Sequence, residues 1–530
     1  MPNGVAFNPP RFDVAYVISD LHIGGKTDNQ MFEAAAQFRT FIDYLLEEVG
    51  QMRGKKADAQ MLLVINGDFV DFLAEPGASV FSLDNASEIL DRILHRPEFL
   101  PVLEALQDFV KEPGTKLVLT LGNHDVELAL PDCRQTLLDL LSDKKRDREG
   151  KIQLCFEGWG YRFRVGDKIA LCLHGNEPDE ANFTRYDELD RIIQDIHLFG
   201  KSSFGDWWNP SAGSQLVIKA MNPIKQEFPF IDLLKPEKWL AVTVLGILDP
   251  SKIGYIEEAV DLITRAKTNE LLRPGSQRRM LSTPTTAPDP AAAPAAAFPW
   301  QADTAGRGLT AEEIMRRVEL AIADDNREQK MQELIHLSVD TEMLGWREVV
   351  GSMRDAVHWM KDKAVDLKDR VATALTEDAR AVHRWALQKA IRRQVTDDPY
   401  DVGAMDDTDK AIAATVRKDY NVVFAGHTHF RRIAPQGDRT QLYVNTGTWA
   451  GLMTFTRALV DSEDFTKVYD ALLSKKRDLL RKPLPGTDIT LIRKECTVAR
   501  MAGTGRNVTV ALGGVADSVV FSNALTRKLA

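Results

Sequence analysis

The chain has 530 residues, 44% of them hydrophobic and 27% charged, with a formal net charge of -10. That length exceeds one ordinary core and leads us to expect two domains, or one domain with a large insertion, while the acidic balance disfavours a protein that coats nucleic acid. The four cysteines, Cys133, Cys155, Cys172 and Cys496, lack CxxC spacing and the density of a disulfide scaffold, so a reducing compartment is the simplest expectation.

The opening MPNGVAFNPPRFD has no charged-then-apolar leader pattern, and no apolar run approaches the roughly 20 residues needed to span a bilayer. A cytoplasmic location is expected, with peripheral membrane contact as the alternative. Apolar, β-branched runs at 14–19, 61–65, 116–121 and 169–173 alternate with helical patterns at 31–49, 86–110 and 126–141. That is the rhythm of an α/β sheet with covering helices.

From about 185 to 403 the pattern turns helical, with a Pro/Ala-rich linker around 273–308 and charged helical periodicity at 311–323 and 331–389. The apolar segment 239–248 reads as a buried helix, with interfacial membrane contact as the weaker reading. Strand patterns resume at 421–425 and 441–444, followed by β-like segments at 488–492 and 508–512. The expected organisation is a core in two parts, 12–184 and 404–530, separated by a helical insertion or cap at 185–403.

Five polar clusters stand at the carboxyl ends of five apolar strand candidates, where open α/β sheets place their ligands. They are Asp20-Leu21-His22, Gly67-Asp68-Phe69-Val70-Asp71, Gly122-Asn123-His124-Asp125, His174-Gly175 and Gly426-His427-Thr428-His429. Carboxylate, imidazole and amide oxygen form a donor set that suits manganese, iron, zinc and similar ions rather than a structural thiolate site. Any one cluster alone is equally readable as a capped turn with solvated side chains. It is the ordered set of five that points to a metal centre.

This set resembles the calcineurin-like metallophosphoesterase superfamily, over residues 14–174 and 421–448. The resemblance implies a four-layer α/β/β/α sandwich carrying a large helical insertion. It also implies two transition-metal ions, manganese and/or iron foremost and zinc as the alternative. Asp20, His22, Asp68 and His429 would hold one ion, and Asp68, Asn123, His174 and His427 the other, with Asp68 bridging. His124 carries over as the histidine that contacts the phosphoryl group or protonates the leaving oxygen, and Asp71 as the carboxylate that orients it.

Where the protein serine/threonine phosphatases carry an arginine directly after the second aspartate, this chain has Phe72, which disfavours that branch. The segments 445–449 and 174–182 resemble the bacterial branch containing UDP-2,3-diacylglucosamine pyrophosphatase, and they make Asn176 and Asn182 candidate substrate contacts. The expected activity is two-metal hydrolysis of a phosphodiester, pyrophosphate or phosphomonoester bond in a small, nucleotide- or lipid-linked substrate. Two alternatives are a DNA nuclease subunit resembling the double-strand-break-repair branch, and a non-catalytic protein-binding module on the same fold. His95, His197, His336, His358 and His383 lack ligand partners at useful spacing, and the pair Trp207-Trp208 reads as core or cap.

Overall fold

The structure is a computed structural model. It describes residues 8–27, 30–145, 150–179, 181–201, 210–235, 419–436, 441–516 and 519–529, together with short runs between 240 and 249 and between 384 and 416. The linker at 273–308, both tryptophans Trp207 and Trp208, Trp239, and His336, His358 and His383 lie outside the described residues.

Two sheets face each other. One has the order β15 (Val519–Lys528), β14 (Asn507–Ala516), β13 (Thr497–Thr504), β2 (Val14–Ile18), β3 (Met61–Asn66), β4 (Thr115–Thr120) and β5 (Ile152–Cys155), with β2 to β5 parallel. The other has the order β1 (Arg11–Phe12), β6 (Tyr161–Val165), β7 (Lys168–Cys172), β8 (Val422–Ala425), β10 (Gln441–Thr446) and β9 (Arg431–Gln436).

The strand sequences explain the layering. Ala15 and Val17 of β2, Leu62 and Val64 of β3, and Val118 of β4 point into the space between the sheets, where they meet Phe163, Ala170, Val422 and Phe424. The alternate residues Tyr16, Ile18, Leu63, Ile65, Leu117 and Leu119 face outward under the helices α1 (Ala35–Lys55), α2 (Ala86–Leu94), α3 (Leu100–Lys111) and α4 (Pro131–Ser142). Both faces are therefore buried, and this is why these strands read as unbroken apolar runs. A one-residue slip would exchange the two sets, each side chain of which contributes about 1.5–3 kcal/mol when fully buried. On the far side Val423, Ala425 and Tyr443 pack against Ile412 and Val416, completing the expected α/β/β/α order.

Several elements depart from the sequence expectation. The helix expected at 86–110 is two helices: α2 ends at Leu94 and α3 begins at Leu100, with Pro97 between them. Proline cannot continue the hydrogen-bond ladder and pushes its predecessor out of the helical region. The helix expected at 126–141 is a 3-10 turn, Val126–Ala129, followed by α4, which starts on Pro131 at its first position. The strand expected at 488–492 is instead β12 (Ile492–Lys494), paired with β11 (Gly451–Met453).

Within the insertion, α5 (Tyr186–Phe199) places Tyr186, Leu189 and Ile192 in the cluster formed by α1 to α4. Residues of 221–245 form a second apolar cluster with Leu387, Ile391 and side chains from 450–492. Leu240, Ala241, Val244 and Leu245 of the apolar segment are buried in it, as the buried-helix reading expects. No helix among the described residues is long and apolar enough to cross a membrane.

Candidate metal centre

The loops after β2 and β3 continue side by side beyond the strands. The amides of Asp20, His22 and Ile23 donate to the carbonyls of Gly67, Asp68 and Phe69 at 3.2, 2.9 and 3.1 Å, which sets His22 beside Asp68. Asp125 braces the same end, accepting the amides of Gly122 at 2.7 Å and Phe69 at 2.8 Å. The opposite sheet is tied in by the His427 amide, which donates to both Asp20 carboxylate oxygens at 3.0 Å. The Trp449 amide and the Thr448 hydroxyl fix the Asp20 carbonyl at 3.1 and 2.8 Å.

The backbone is unusual here. Asp20, His22, Asp68, His427 and His429 all have left-handed φ, between 50° and 68°. Such conformations are uncommon outside glycine and persist where the surroundings over-determine them, most often at functional sites. The flanking glycines answer a packing need. A Cβ at Gly122 would sit 2.0 Å from Asp68 Oδ1, and one at Gly426 would sit 2.3 Å from Asp20 Oδ2.

The ligand atoms converge in three overlapping groups: Asp20, His22 and His429; His22, Asp68 and His124; Asp20, Asp68 and His174. Within each group the atoms lie within 4.8 Å of one another. His174 Nε2 is 3.2 Å from Asp68 Oδ2, and His429 Nε2 is 3.4 Å from Asp20 Oδ1. Asn123 is buried at the same edge, its Oδ1 without a hydrogen-bond partner. His427 is the exception. Its Nε2 faces Asp179 Oδ2 at 3.2 Å, while its ring lies 5.6 Å from that of His174.

The electrostatics are those of a site that requires positive charge. Burial pushes the Asp20 carboxyl up, but its contact with His429 and the charge of His174 outweigh this and hold it at about 2. Burial likewise opposes ionisation of Asp68 and Asp71, and the neighbouring histidines hold both well below the usual carboxylate range. Burial disfavours a charged His174, yet Asp68 and Asp20 push it up to about 10. His429, buried and facing the charge of Lys235, falls to about 4. Two further buried acids, Asp125 and Glu127, are pushed up to about 7 by burial.

These residues fit a pair of cations. The rings of His22 and His429 bring their Nε2 atoms to 3.1 Å, an arrangement a cation between them would relieve. Asn123 Oδ1 is buried and makes no hydrogen bond, and the donors are all nitrogen and oxygen. Asp71 stands between His22 and His124, with Oδ2 3.2 Å from His22 Nδ1 and Oδ1 3.2 Å from His124 Nδ1. Of the clustered histidine and carboxylate side chains, His124 is among the more open, 19% exposed.

Asn176 and Asn182 lie in the loop that carries Asp179. Asn176 Nδ2 donates to the Asn182 carbonyl at 3.0 Å and to Thr184 Oγ1 at 3.2 Å, and Asn182 Nδ2 donates to Asp179 Oδ2 at 2.7 Å. The sequence reading missed Asp179 and Lys235. Asp179 stands in the 174–182 segment but was not singled out there, and Lys235 stands in no motif and comes from the 210–235 stretch. Phe72 is buried in the helix-side core, and His95 pairs with Asp91 away from the site.

No curated protein and no solved structure matches the chain. The model of the family described as calcineurin-like phosphoesterase matches residues 15–229, the stretch that carries Asp20, His22, Asp68, Asn123, His124 and His174. Together with the candidate ligand groups, this match supports a metal-dependent phosphoesterase of the calcineurin-like superfamily.

Proposed function

We propose that the protein is a two-metal phosphohydrolase that cleaves a phosphodiester, pyrophosphate or phosphomonoester bond in a small phosphorylated substrate. The observation that carries this reading is Asp71, whose carboxylate spans His22 at the heart of the ligand groups and the more open His124. Asp20, His22, Asp68 and His429 would hold one ion, and Asp68, Asn123, His174 and His427 the other. Bound there, the ions supply Lewis acidity and neutralise charge as water attacks phosphorus.

The chain's own residues do the rest. By accepting from Nδ1 of His22, Asp71 leaves Nε2 of that ring as the lone pair that faces the cluster. Standing 3.2 Å from Nδ1 of His124, it would orient that ring and leave Nε2 for the leaving oxygen. Burial of Asp20, Asp68 and His174 excludes water from the remainder of the site.

Residues 185–403 act in this reading as a cap that governs access to a nucleotide- or lipid-linked substrate. Supporting contacts run from the insertion to the loops around the site. Asn222 Nδ2 donates to the Leu73 carbonyl at 2.8 Å, and the Lys235 amide donates to the Met453 carbonyl at 2.8 Å.

The test is a screen of the purified, manganese-loaded protein against bis-p-nitrophenyl phosphate, p-nitrophenyl phosphate, nucleotide sugars and single-stranded DNA. Hydrolysis of at least one small ester, abolished by a chelator, is expected. Hydrolysis of DNA alone would favour the nuclease. A metal-loaded protein inert towards every substrate would favour the binding module.

A further inference from the structure

Between β9, the ends of β13 and β14, β15 and the start of α1 lies a cavity of about 330 Å³. Arg431, Lys494, Gln37, Ser522 and Asn523 line it, and Glu495 is the carboxylate in its wall. A volume of this size is at the lower end of the range for small-molecule sites.

Its walls are held open by irregular backbone. The β14–β15 register shifts on either side of Gly514. Cys496, Phe521 and Asn523 adopt left-handed φ of 43°, 65° and 50°. A bulge and three left-handed non-glycine residues at one place bend the strand ends apart, at a cost that persists where the surroundings impose it.

The charge around the cavity is unbalanced. Glu495 lies 3.3 Å from Arg431 Nε. Glu33 serves Lys494 and Arg477, each at 3.6 Å, and also contacts Arg481. Arg477 also lies in the field of Asp232 and Asp478, and Asp478 contacts Arg481 at 3.0 Å, so the cations of the lining itself are Arg431 and Lys494 against the one carboxylate Glu495. Arg477 is 5% exposed, and its Nε and Nη1 have no hydrogen-bond partner. Arg477 and Arg481 lie outside the lining, but their charges act on Lys494 and add to a positive potential there that favours an incoming oxyanion.

Arg431 connects the cavity's lining to the loops of the metal site. Arg431 follows His429 by two residues, and its Cβ would lie 3.3 Å from a Cβ at Gly447. The Gly447 carbonyl accepts from Ser19 Oγ at 3.3 Å, next to Asp20.

We propose that this cavity binds the phosphate group of a small phosphorylated molecule, as a second oxyanion site separate from the metal cluster. Arg431 and Lys494 supply the charge, Gln37 and Asn523 the neutral donors. The phosphate belongs either to the distal part of the substrate or to a separate effector.

The experiment is calorimetric titration of inorganic phosphate into the full-length, manganese-loaded protein and its Lys494→Gln, Gln37→Trp and Asp68→Ala variants. Two phosphates per wild-type chain are expected. Lys494→Gln removes a cation and Gln37→Trp fills the cavity while keeping its charged residues, so either should weaken one site at least tenfold. Should Lys494→Gln fail to fold, Gln37→Trp carries the test. Asp68→Ala should keep the cavity site while losing the other. Wild-type stoichiometry and affinity in Gln37→Trp would overturn the proposal, as would loss of all phosphate binding in a folded Asp68→Ala. Retention of both phosphates in Asp68→Ala, with one lost in Gln37→Trp, would count against the metal reading and leave the cavity assignment standing. A KM raised by Gln37→Trp only for substrates with two separated phosphates identifies the distal substrate group. A lost response of kcat to added phosphate identifies an effector.

Discussion

The strand-end cluster and the apolar cluster around Phe228, Leu234 and Leu472 are both buried, but by different means. At the strand ends Asp20, Asp68, Asp71 and the histidines are withdrawn from water, and each carboxylate is offset by an imidazole or a backbone amide. The backbone there is held in left-handed conformations that cost free energy. The second cluster is built from aliphatic and aromatic side chains, and none of its residues has a left-handed φ. Stability is thus concentrated in one region, and strained, charged groups in the other. That division is what catalysis requires of a fold, and it assigns different consequences to substitutions in each region.

The largest effect is expected at the strand ends. Asp68→Ala should abolish turnover and lower the content of both metals, because one carboxylate serves both sides of the cluster; metal analysis by mass spectrometry and a rate assay check this together. Two tightly bound metals and near-normal turnover in the variant would remove Asp68 from its bridging role. His124→Asn should leave metal content unchanged and slow turnover by roughly 10² to 10⁴, less for p-nitrophenyl than for alkyl leaving groups. Equal losses for both would reduce His124 to phosphate positioning.

In the apolar cluster the pattern reverses. Leu472→Ala should cost about 2–5 kcal/mol of stability in urea unfolding, while kcat per folded molecule stays within a few-fold of the parent. A collapse of kcat in the folded variant would mean that the two regions are not separable.

Glu127 lies between the extremes, buried behind the site with Oε1 accepting the Ser82 amide at 3.0 Å. Burial raises its carboxyl to about 7. A carboxyl raised in the folded state contributes stability that is fully present below its unfolded value near 4.5 and is lost as pH rises to about 7. Glu127→Gln lacks this dependence. Relative to the parent, its stability should therefore rise between pH 5 and 7, by up to roughly 3 kcal/mol, and level off above. A difference that is flat from pH 5 to 8 would show that Glu127 is ionised in the fold.

The candidate ligand groups were legible because their chemistry and place coincide: unlike apolar core positions, Asp20, Asp68 and His174 are polar residues two positions past the ends of apolar strands. The strands β2, β3, β4, β8 and β10 were legible because burial on both faces leaves an uninterrupted apolar record. β13 and β15 were not, since Arg500, Gly503, Ser522, Asn523 and Arg527 dilute their patterns where one face is open to solvent or pairs with charge. The breaks at Pro97 and Pro131 were present in the sequence and were overrun by helical periodicity on both sides. The second contact of Asp71, to His22, and the sharing of Glu33 with Lys494, 461 residues away, arise from tertiary packing that no local pattern records.

The central claim is that the strand-end cluster binds two transition-metal ions and that hydrolysis depends on both. The most direct measurement is to deplete the full-length protein of metal and add Mn²⁺ stepwise while following bis-p-nitrophenyl phosphate hydrolysis. Negligible turnover without metal is expected, with a rate that saturates at two equivalents per chain. Undiminished turnover in the depleted protein, or two bound equivalents with no turnover on any phosphoester, would contradict it.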